Sequence, residues 1–413
     1  MLATIFAAAL ALSAPAPIAT LMPAGAYRSA NGHVVYVGPE HTLPQRRFDQ
    51  YYDDTTRRIG DASSLGELRP IATVQERRFV ISVDGAKLGA SLWYRGTSAD
   101  PTILLIHGND DETREMGHLI PYFVLHGMTV IAYDQRGTGD SEGNWRTEGP
   151  PQRAGDVVAL IAAVKHNTHV DAKRVGLWAF SNGGWTAPIV AVSVPIAFMI
   201  LKSAPAETLQ HNILYEVAQR MAEHGFGSED TNAALRVDRS VLNALEGVGS
   251  WTTAREEFAY ARHQKWFAQT ALPDDFPMPP PPALLSALRR AAIYDPAPTL
   301  RRVRTPTLAM FGALDRNVDV AYSRRAFAAY FKEAGMSDFT EKVFAHAGHT
   351  LEASATGYYD QPELPRRLVP YMSVTIAWLR ARNFVASDSP AAADRSSRHT
   401  DATLRDGESD HAQ

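Results

Sequence analysis

The sequence predicts an α/β protein: a mostly parallel sheet flanked by helices, with a helical cap insertion and a small N-terminal β-rich appendage. Short apolar runs alternate with helical stretches between residues 102 and 201 and again between residues 307 and 381. A strand-like run breaks sharply at Ser181, and between about residues 204 and 296 only helical patterns occur. Continuous apolar strands that alternate with helices are typical of a parallel sheet covered on both faces.

Length and composition narrow the class of protein. With 413 residues, 45% hydrophobic and 21% charged, the chain can form one large domain with smaller additions. The net charge of −4 provides no field for nucleic acid or an anionic membrane, so neither is an expected partner. Cysteine is absent, which excludes disulfides, a thiolate nucleophile and cysteine-bound zinc. Composition indicates neither the compartment nor the oligomeric state.

The N-terminal segment suggests export. Leu2 to Ala19 is apolar and alanine-rich, and Ser13, Ala14 and Ala16 offer small residues to a signal peptidase. Residues 1–24 are therefore predicted to be a signal peptide, which implies a periplasmic or secreted bacterial protein. No Lys or Arg precedes the apolar run, so the usual positive start is missing. A membrane anchor is the alternative, but prolines leave the run short for a spanning helix, and no stable membrane insertion is expected.

Two β-rich segments follow. Residues 25–75 are predicted to form the small N-terminal appendage, with His33–Val37 as its clearest strand. The segments Phe79–Val83 and Leu88–Tyr94 then show alternating apolar residues on either side of Asp84-Gly85. Alternation interrupted by Asp-Gly predicts a β-hairpin, which opens the main domain.

The main domain is predicted to span residues 76–385. Its buried-strand runs are Thr102–Ile106, Thr129–Tyr133, Arg174–Phe180, Ile196–Leu201, Thr307–Phe311 and Thr340–Phe344, and its helices lie near Arg153–Asn167, from Asn182, at Ala321–Ala334 and at Arg366–Ala381. The cap, at about residues 204–296, contains helical patterns at Glu207–Glu223, Asp230–Leu245 and Thr252–Thr270, followed by a proline-rich loop at 273–282 that is expected to be extended. Residues 386–413 lack apolar periodicity and are predicted to be a disordered tail.

The run GLWAFSNGGW, at residues 176–185, contains the candidate nucleophile. Ser181 lies between a strand and a helix start, with Ala179 two residues before it and Gly183 two residues after it. A serine presented in a strained strand-to-helix turn needs small residues at both positions, and the usual pattern is GxSxG. Alanine at 179 adds one methyl group but keeps the residue small. The competing interpretation of Ser181 is an ordinary helix cap.

Together with its neighbours, this run resembles the nucleophile elbow of the α/β-hydrolase superfamily, and the chain is similar to the serine aminopeptidase-like and carboxylesterase group. The matching features are HG at His107-Gly108, DxRGxGxS at Asp134 to Ser141, SNGGWTAP ending at Pro188, the helical cap, TLAMFGALD ending at Asp315, and GH at His349. The resemblance covers most of residues 79–381 and implies a serine hydrolase that needs no cofactor. It does not identify the substrate, because the superfamily contains esterases, lipases, peptidases and lactonases.

The resemblance also implies the other two members of a catalytic triad. In α/β-hydrolases the chain order is serine, acid, histidine, each at the C-terminal end of a strand. That order makes Ser181 the nucleophile, Asp315 the acid and His349 the base. Asp319 competes with Asp315, and His346 competes with His349. The strand-end position favours Asp315, and the glycine before His349 favours that histidine.

An oxyanion formed at the attacked carbonyl needs hydrogen-bond donors. The expected donors are the backbone amides of Asn182, which follows the nucleophile, and of Asn109, in the loop after the first buried strand. This loop is more acidic than is usual in the superfamily, which leaves the identity of its donor open. His107 is expected to pack under the loop and not to act as a base.

Two further motifs resemble possible binding sites. The glycine-rich turn at residues 133–143 lacks the P-loop pattern and is interpreted as scaffold, with Asp134 and Arg136 pairing with backbone or with each other. The acidic run Asp110 to Glu112 is positioned to attract a substrate amine or to be solvated, and solvation is expected. No metal-ligand spacing and no dinucleotide fingerprint occur, so neither a metal nor a cofactor is predicted.

These observations support three hypotheses about function. The first is an exported serine hydrolase that cleaves carboxylic esters by Ser-His-Asp acyl transfer on a small-molecule substrate. The second is a serine peptidase of the aminopeptidase type, motivated by the acidic run. The third is a catalytically silent binding protein on a hydrolase scaffold, motivated by the altered elbow and by the appendage.

Overall fold

The computed structural model describes residues 22–39, 50–54, 57–97, 99–358 and 366–385, and within these ranges the chain forms two β-sheets. Residues 1–21 of the predicted signal peptide and all of the predicted tail, residues 386–413, lie outside the described residues. No helix within the described ranges combines the length and apolar character that crossing a bilayer requires.

The N-terminal sheet is antiparallel, with the strand order β14-β4-β3-β2-β1-β5. Its strands are β1 (Gly25–Ser29), β2 (Val34–Val37), β3 (Gln50–Asp53), β4 (Arg58–Asp61), β5 (Leu68–Thr73) and β14 (Arg366–Arg367). The sequence identified only β2 clearly. Arg366 and Arg367 were predicted to begin the helix that runs to Ala381, but they form β14, and the helix begins at Tyr371. Two arginines have no β pattern, and their pairing with β4 joins chain segments about three hundred residues apart.

The central sheet is mixed and mostly parallel, with the strand order β13-β12-β11-β10-β8-β9-β7-β6. Its strands are β6 (Gln75–Val83), β7 (Ala86–Tyr94), β8 (Asp100–Ile106), β9 (Thr129–Tyr133), β10 (Val170–Phe180), β11 (Met199–Lys202), β12 (Thr307–Gly312) and β13 (Phe339–Phe344). Strands β6 and β7 form the predicted hairpin. Asp84 and Gly85 have positive φ values of 48° and 80°, as the right-handed twist of a two-residue hairpin favours.

Helices cover both faces of the central sheet, as predicted, although the helix at Leu119–Leu125 was not among those expected from the sequence. They are α1 (Leu119–Leu125), α2 (Pro150–Val164), α3 (Gly183–Ser193), α9 (Val320–Glu333) and α10 (Tyr371–Arg380). Alternate residues of β8 enter different cores: Ile103 and Leu105 pack with residues of α1 and α10, whereas Leu104 and Ile106 pack with residues of α2, α3 and α9. This alternation is the period-two geometry of a strand buried on both sides.

The cap lies between β11 and β12 and consists of helices with a core of their own. They are α4 (Leu209–Glu223), α5 (Ser228–Glu246), α6 (Trp251–Ala261), α7 (Pro282–Ala292) and α8 (Ala297–Leu300). Helix α6 ends nine residues before the predicted end at Thr270, and the chain turns so that Trp266 and Phe267 enter the cap core. Helix α7 was missed because its proline-rich approach reads as loop, although proline is well tolerated in the first turn of a helix.

The N-terminal sheet packs against α1. Tyr36 and Tyr52 place their ring centroids 5.0 Å and 5.5 Å from that of Tyr122 in this helix. Edge-to-face packing of this kind adds to the free energy of burying the rings. One hydrophobic core therefore joins this sheet, α1 and one face of the central sheet.

Candidate active site

Ser181 occupies a sharp turn between β10 and α3. Its φ is +51°, a left-handed conformation that is strained for a residue with a side chain. Its backbone N–H donates to the carbonyl of Lys202 at 3.0 Å, which ties the turn to the neighbouring strand β11. A Cβ on Gly183 would come within 2.7 Å of the His107 carbonyl oxygen, so the glycine after the serine is sterically required. This is the geometry of a nucleophile elbow.

Three distant side chains meet at this turn. Nε2 of His349 lies 2.9 Å from Oγ of Ser181, and Nδ1 of His349 lies 2.8 Å from Oδ2 of Asp315. Because a carboxylate can only accept, Nδ1 carries the proton and Nε2 presents its lone pair to the serine hydroxyl. His349 and Asp315 are buried, at 5% and 3% exposure. The arrangement can transfer a proton from Ser181 to His349.

The carboxylate of Asp315 is held by its own loop. Its second oxygen, Oδ1, accepts hydrogen bonds from the backbone N–H groups of Asn317 at 2.8 Å and Val318 at 3.0 Å. Both carboxylate oxygens are thus engaged. The strand end of β12 therefore positions a fixed negative charge behind the imidazole.

The loop that carries His349 is anchored by Ser203, a residue that the sequence analysis did not single out. Its hydroxyl donates to the His349 carbonyl at 2.6 Å, and Ser203 itself is fully buried with a φ of +49°. The Phe180 ring packs on the imidazole, with 5.1 Å between centroids. An SAP run after a strand has no local signature of such a role, because the contact spans 146 residues.

The two competing residues have other places. The Asp319 carboxylate caps α9 by accepting from the Tyr322 N–H at 2.9 Å and lies 3.2 Å from the His211 ring. His346 is exposed at the loop surface. The structure therefore brings Asp315 and His349 together with the serine and leaves Asp319 and His346 outside the relay.

The two candidate oxyanion donors flank the serine. Asn182 is the residue after Ser181 and lies at the N-terminus of α3, where the helix dipole favours negative charge. Asn109 follows Gly108, and a Cβ built on Gly108 would lie 3.4 Å from Cβ of Ser181. The Gly108 N–H interacts with the Glu112 carboxylate and lowers its pKa, and Asn109 remains the candidate donor of this loop.

The acidic run is not free for a substrate amine. Asp111 accepts from the Trp145 indole at 2.7 Å and pairs with Arg146 at 2.8 Å. Glu112 lies 3.1 Å from Nδ1 of His107. Desolvation raises the pKa of Glu112, but its hydrogen bonds to His107 and to the Gly108 N–H keep that pKa below the ordinary value. Asp111 remains exposed to solvent, as expected, but both carboxylates already have partners in the protein.

The buried histidine before the loop behaves as expected. The His107 ring lies under the loop, with Nε2 2.5 Å from the Tyr133 carbonyl oxygen. In the glycine-rich turn, the predicted pairing with backbone is found: Asp134 accepts from the Asp140 N–H at 2.8 Å, and Arg136 donates to the Val83 carbonyl at 3.3 Å. The alternative, a pair between Asp134 and Arg136, does not form. Asp134 binds Arg114 at 2.6 Å, and Arg136 binds Asp156 at 2.6 Å. Both partners are distant in sequence, so local spacing could not reveal them.

Lys202 places a buried cation behind the elbow. Its Nζ lies 4.6 Å from the Phe180 ring centroid and 4.7 Å from that of Tyr371. Burial lowers the pKa of Lys202 to about 8, and carboxylates at Glu352 and Glu112 oppose that shift. Ring faces stabilise such a cation where water cannot. Across the described ranges, no group of three or more potential metal-ligating side chains converges.

Comparison with known proteins identifies the family. The family described as serine aminopeptidase, S33, matches residues 97–353, which include the elbow, the relay and the cap. The chain belongs to this family of α/β-hydrolases. The resemblance and the fold class predicted from the sequence are thereby confirmed. Membership places the chain among the serine α/β-hydrolases.

Individual relatives are more distant. The chain is 31% identical over 112 residues to thiohydrolase aneE of Aspergillus aculeatus, covering 26% of this chain and 34% of that protein. It is 28% identical over 127 residues to thiohydrolase apmlB of Arthrinium phaeospermum, covering 30% and 41%. The matches thus span less than half the length of these curated relatives.

Similar solved structures include an esterase of Pyrococcus furiosus, at 16% identity and a TM-score of 0.45, covering 74% of this chain and 91% of that one. A puromycin-hydrolyzing peptidase of Mycobacterium tuberculosis shows 17% identity and a TM-score of 0.46, covering 76% and 42%.

Proposed function

We propose that this protein is an exported serine esterase that hydrolyses carboxylic esters by acyl transfer. The observation that carries the proposal is the unbroken hydrogen-bond chain from Ser181 through His349 to Asp315, with distances of 2.9 Å and 2.8 Å. A serine hydroxyl is a weak nucleophile at neutral pH and needs a base within this distance. The base in turn needs a carboxylate that selects its tautomer.

In the first half of the reaction, Oγ of Ser181 forms a bond to the acyl carbon while its proton moves to Nε2 of His349. The carbonyl electron pair moves onto oxygen, and the N–H groups of Asn109 and Asn182 are proposed to stabilise the resulting oxyanion. Collapse of this intermediate re-forms the carbonyl and breaks the bond to the alcohol. The alcohol leaves with the proton from Nε2, and the acyl group stays on Ser181.

In the second half, water replaces the alcohol. His349 accepts a proton from the water as the water oxygen attacks the acyl carbon. The second tetrahedral intermediate then collapses, and that proton returns to Oγ of Ser181. The products are the carboxylic acid and the free enzyme. The negative charge of Asp315 stabilises the imidazolium that forms in both halves.

The direct test is a Ser181→Ala variant assayed with p-nitrophenyl acyl esters. Removal of the nucleophile is expected to lower kcat by a factor of about 10⁶. Ser193→Ala is the matched control, because Ser193 is an exposed serine at the end of α3 whose hydroxyl bonds only the local Ile189 carbonyl. Ester hydrolysis retained in Ser181→Ala would rule out the assignment.

The substrate class is tested with three matched acyl donors: an oxygen ester, a thioester and an aminoacyl anilide. Thioesters belong in the panel because the curated relatives are named thiohydrolases. Anilides test the aminopeptidase alternative, which the family's name keeps open. The engagement of Asp111 and Glu112 argues against amine recognition by the acidic run. A preference for anilides that weakens on neutralising these residues would overturn the esterase proposal.

The third hypothesis, a silent binding protein, is tested by a fluorophosphonate probe. The probe needs an activated serine, so stoichiometric labelling that disappears in Ser181→Ala would eliminate this hypothesis. Absence of labelling in the wild type would support it. The close approach of His349 to Oγ of Ser181 supports labelling.

Export is part of the proposal and rests on the apolar, alanine-rich run from Leu2 to Ala19. N-terminal sequencing of the protein recovered from the periplasm or medium of an expressing bacterium tests it. A mature N-terminus near residue 24 is expected. Full-length protein retained in the cytoplasm would contradict export.

A further inference from the structure

Arg153, in the first turn of α2, reaches across to the loop that carries the candidate oxyanion donor. Its guanidinium donates to the Gly108 carbonyl at 3.3 Å, to Oδ1 of Asn109 at 3.4 Å and to the Trp145 carbonyl at 3.2 Å. The Trp145 ring also lies under this guanidinium, at 5.5 Å. No residue of the proposed relay contacts Arg153 in the described part of the chain, so the mechanism given above does not use it.

The Gly108 carbonyl and the Asn109 N–H belong to the same peptide unit. Because a trans peptide is planar, its carbonyl and its N–H point in opposite directions. A donor that is hydrogen-bonded to the carbonyl therefore fixes the direction of the N–H. Arg153 donates to the carbonyl of the peptide unit whose N–H is proposed to stabilise the oxyanion.

The same loop is held from its other end. The Glu112 carboxylate lies 3.1 Å from Nδ1 of His107, the residue before Gly108, and its pKa is lowered by the Gly108 N–H. Gly108 thus lies between the His107–Glu112 contact and Arg153, and a Cβ built on it would lie 3.4 Å from Cβ of Ser181. Donors that are preoriented need no reorganisation when charge develops, which is why such fixation matters for catalysis.

The helix that carries Arg153 is rigid. Helix α2 packs on the central sheet through Ala154, Val157 and Leu160, all of which are almost fully buried. Groups supported by a packed helix hold their geometry better than groups on loops.

We propose that Arg153 is a positioning residue for the oxyanion hole, which it serves by orienting the Gly108–Asn109 peptide. This inference rests on the proposed serine hydrolase function and extends it to a residue outside the triad. Arg153 touches neither the nucleophile nor the base, and its effect is on the stabilisation of the tetrahedral intermediate.

The test compares Arg153→Lys and Arg153→Met with wild type in ester hydrolysis and in inhibition by phenylboronic acid, which forms a tetrahedral adduct on the serine hydroxyl. Removing an oxyanion donor lowers kcat by a factor of about 10² to 10³. The Arg153 variants keep the donor but no longer fix its direction, so their kcat is expected to fall by about tenfold to a hundredfold. KM should change less than about twofold, since ground-state binding is not involved. Affinity for the boronic acid should fall by the same factor as kcat.

Arg136→Lys is the matched control. Arg136 is a nearby arginine of similar burial that pairs with Asp156 and Glu148 and does not touch the loop. Its kcat and boronic acid affinity are expected to stay near wild type. If Arg153→Met does not fold, Arg153→Lys decides the question, because it keeps the charge but cannot bridge three acceptors.

Two failures are distinguishable. If wild-type protein neither turns over esters nor labels with fluorophosphonate, the proposed function fails and this inference fails with it. If wild type is active and both Arg153 variants label fully with unchanged kcat and unchanged boronic acid affinity, only the positioning role is overturned. An equal loss in the Arg136 control, or a rise in KM that accounts for the whole effect, would also overturn it.

Discussion

Two buried carboxylates in different regions of the molecule differ in the number of hydrogen bonds they accept. Asp315, beside the relay, is 3% exposed and accepts hydrogen bonds from His349, Asn317 and Val318. Asp238, inside the cap, is fully buried and accepts from the Ala271 N–H, while its Oδ2 has no partner among the residues the structure describes. Burial raises the pKa of Asp238 to about 7. The number of hydrogen bonds that a buried carboxylate accepts is one of the factors that set its pKa.

The largest effect is expected when Asp315, the carboxylate with both oxygens hydrogen-bonded, is replaced. Asp315→Asn should lower kcat/KM for p-nitrophenyl esters by a factor of about 10⁴, because the amide donates to Nδ1 and stabilises the wrong imidazole tautomer. Asp319→Asn is the control, since that residue caps α9 and does not contact His349. Equal activity losses in the two variants would contradict the placement of Asp315 in the relay.

The next effect concerns the poorly bonded carboxylate. The folded state keeps a proton on Asp238 up to about pH 7, whereas an unfolded chain releases it near the ordinary pKa of 3.8. The free energy of unfolding therefore falls as pH rises from about 4 to 7, and this loss of stability persists above pH 7. Asp238→Asn should remove this slope and gain at most on the order of 4 kcal/mol at pH 8.

Urea unfolding of wild type and Asp238→Asn at pH 4.5 and pH 8 checks this prediction. The variant should show the larger stability advantage at pH 8 and little or none at pH 4.5. An advantage independent of pH would mean that ionisation of Asp238 is not the cause. Activity should be retained, because Asp238 packs inside the cap.

A smaller effect is expected from the anchor of the histidine loop. Ser203→Ala leaves the buried His349 carbonyl without its hydroxyl donor, which costs roughly 1–3 kcal/mol of stability. Looser placement of the imidazole should also lower kcat by about tenfold. Ser203→Thr, which keeps the hydroxyl, should recover part of the kcat. Wild-type kcat in Ser203→Ala would show that the loop is held by other contacts.

The smallest effect is expected for an exposed carboxylate. Asp111 is an exposed carboxylate that pairs with Arg146, and exposed pairs contribute little. Asp111→Asn should change the free energy of unfolding by less than about 0.5 kcal/mol and ester kcat/KM by less than about twofold. A large loss with aminoacyl anilides alone would instead indicate amine recognition at this site.

Local sequence predicted a good part of this molecule. The β6–β7 hairpin follows from alternation and an Asp-Gly turn, and the parallel sheet follows from apolar runs. Ser181 could be selected because the small residues Ala179 and Gly183 surround it, and Asp315 and His349 because the superfamily's chain order places them at strand ends. Each of these signals lies within a few residues of the feature it predicts.

Other features had no local signal. Strand β14 pairs with β4 across the length of the chain, and Asp134 takes Arg114 as its partner in place of Arg136. The roles of Ser203 and Arg153 depend on contacts that span 146 and 45 residues. A hydroxyl or a guanidinium carries no mark in the sequence that says which carbonyl it will meet.

By itself the sequence determined the fold class, the strained turn at Ser181 and the identity of the three side chains that could form a proton relay, because backbone preference and apolar periodicity act over short distances. The tertiary structure decided which carboxylate has both oxygens hydrogen-bonded, what holds the histidine loop, and what orients the candidate oxyanion donor. Those outcomes depend on distances between groups far apart in the chain, and only the packed sheet and its helices set such distances.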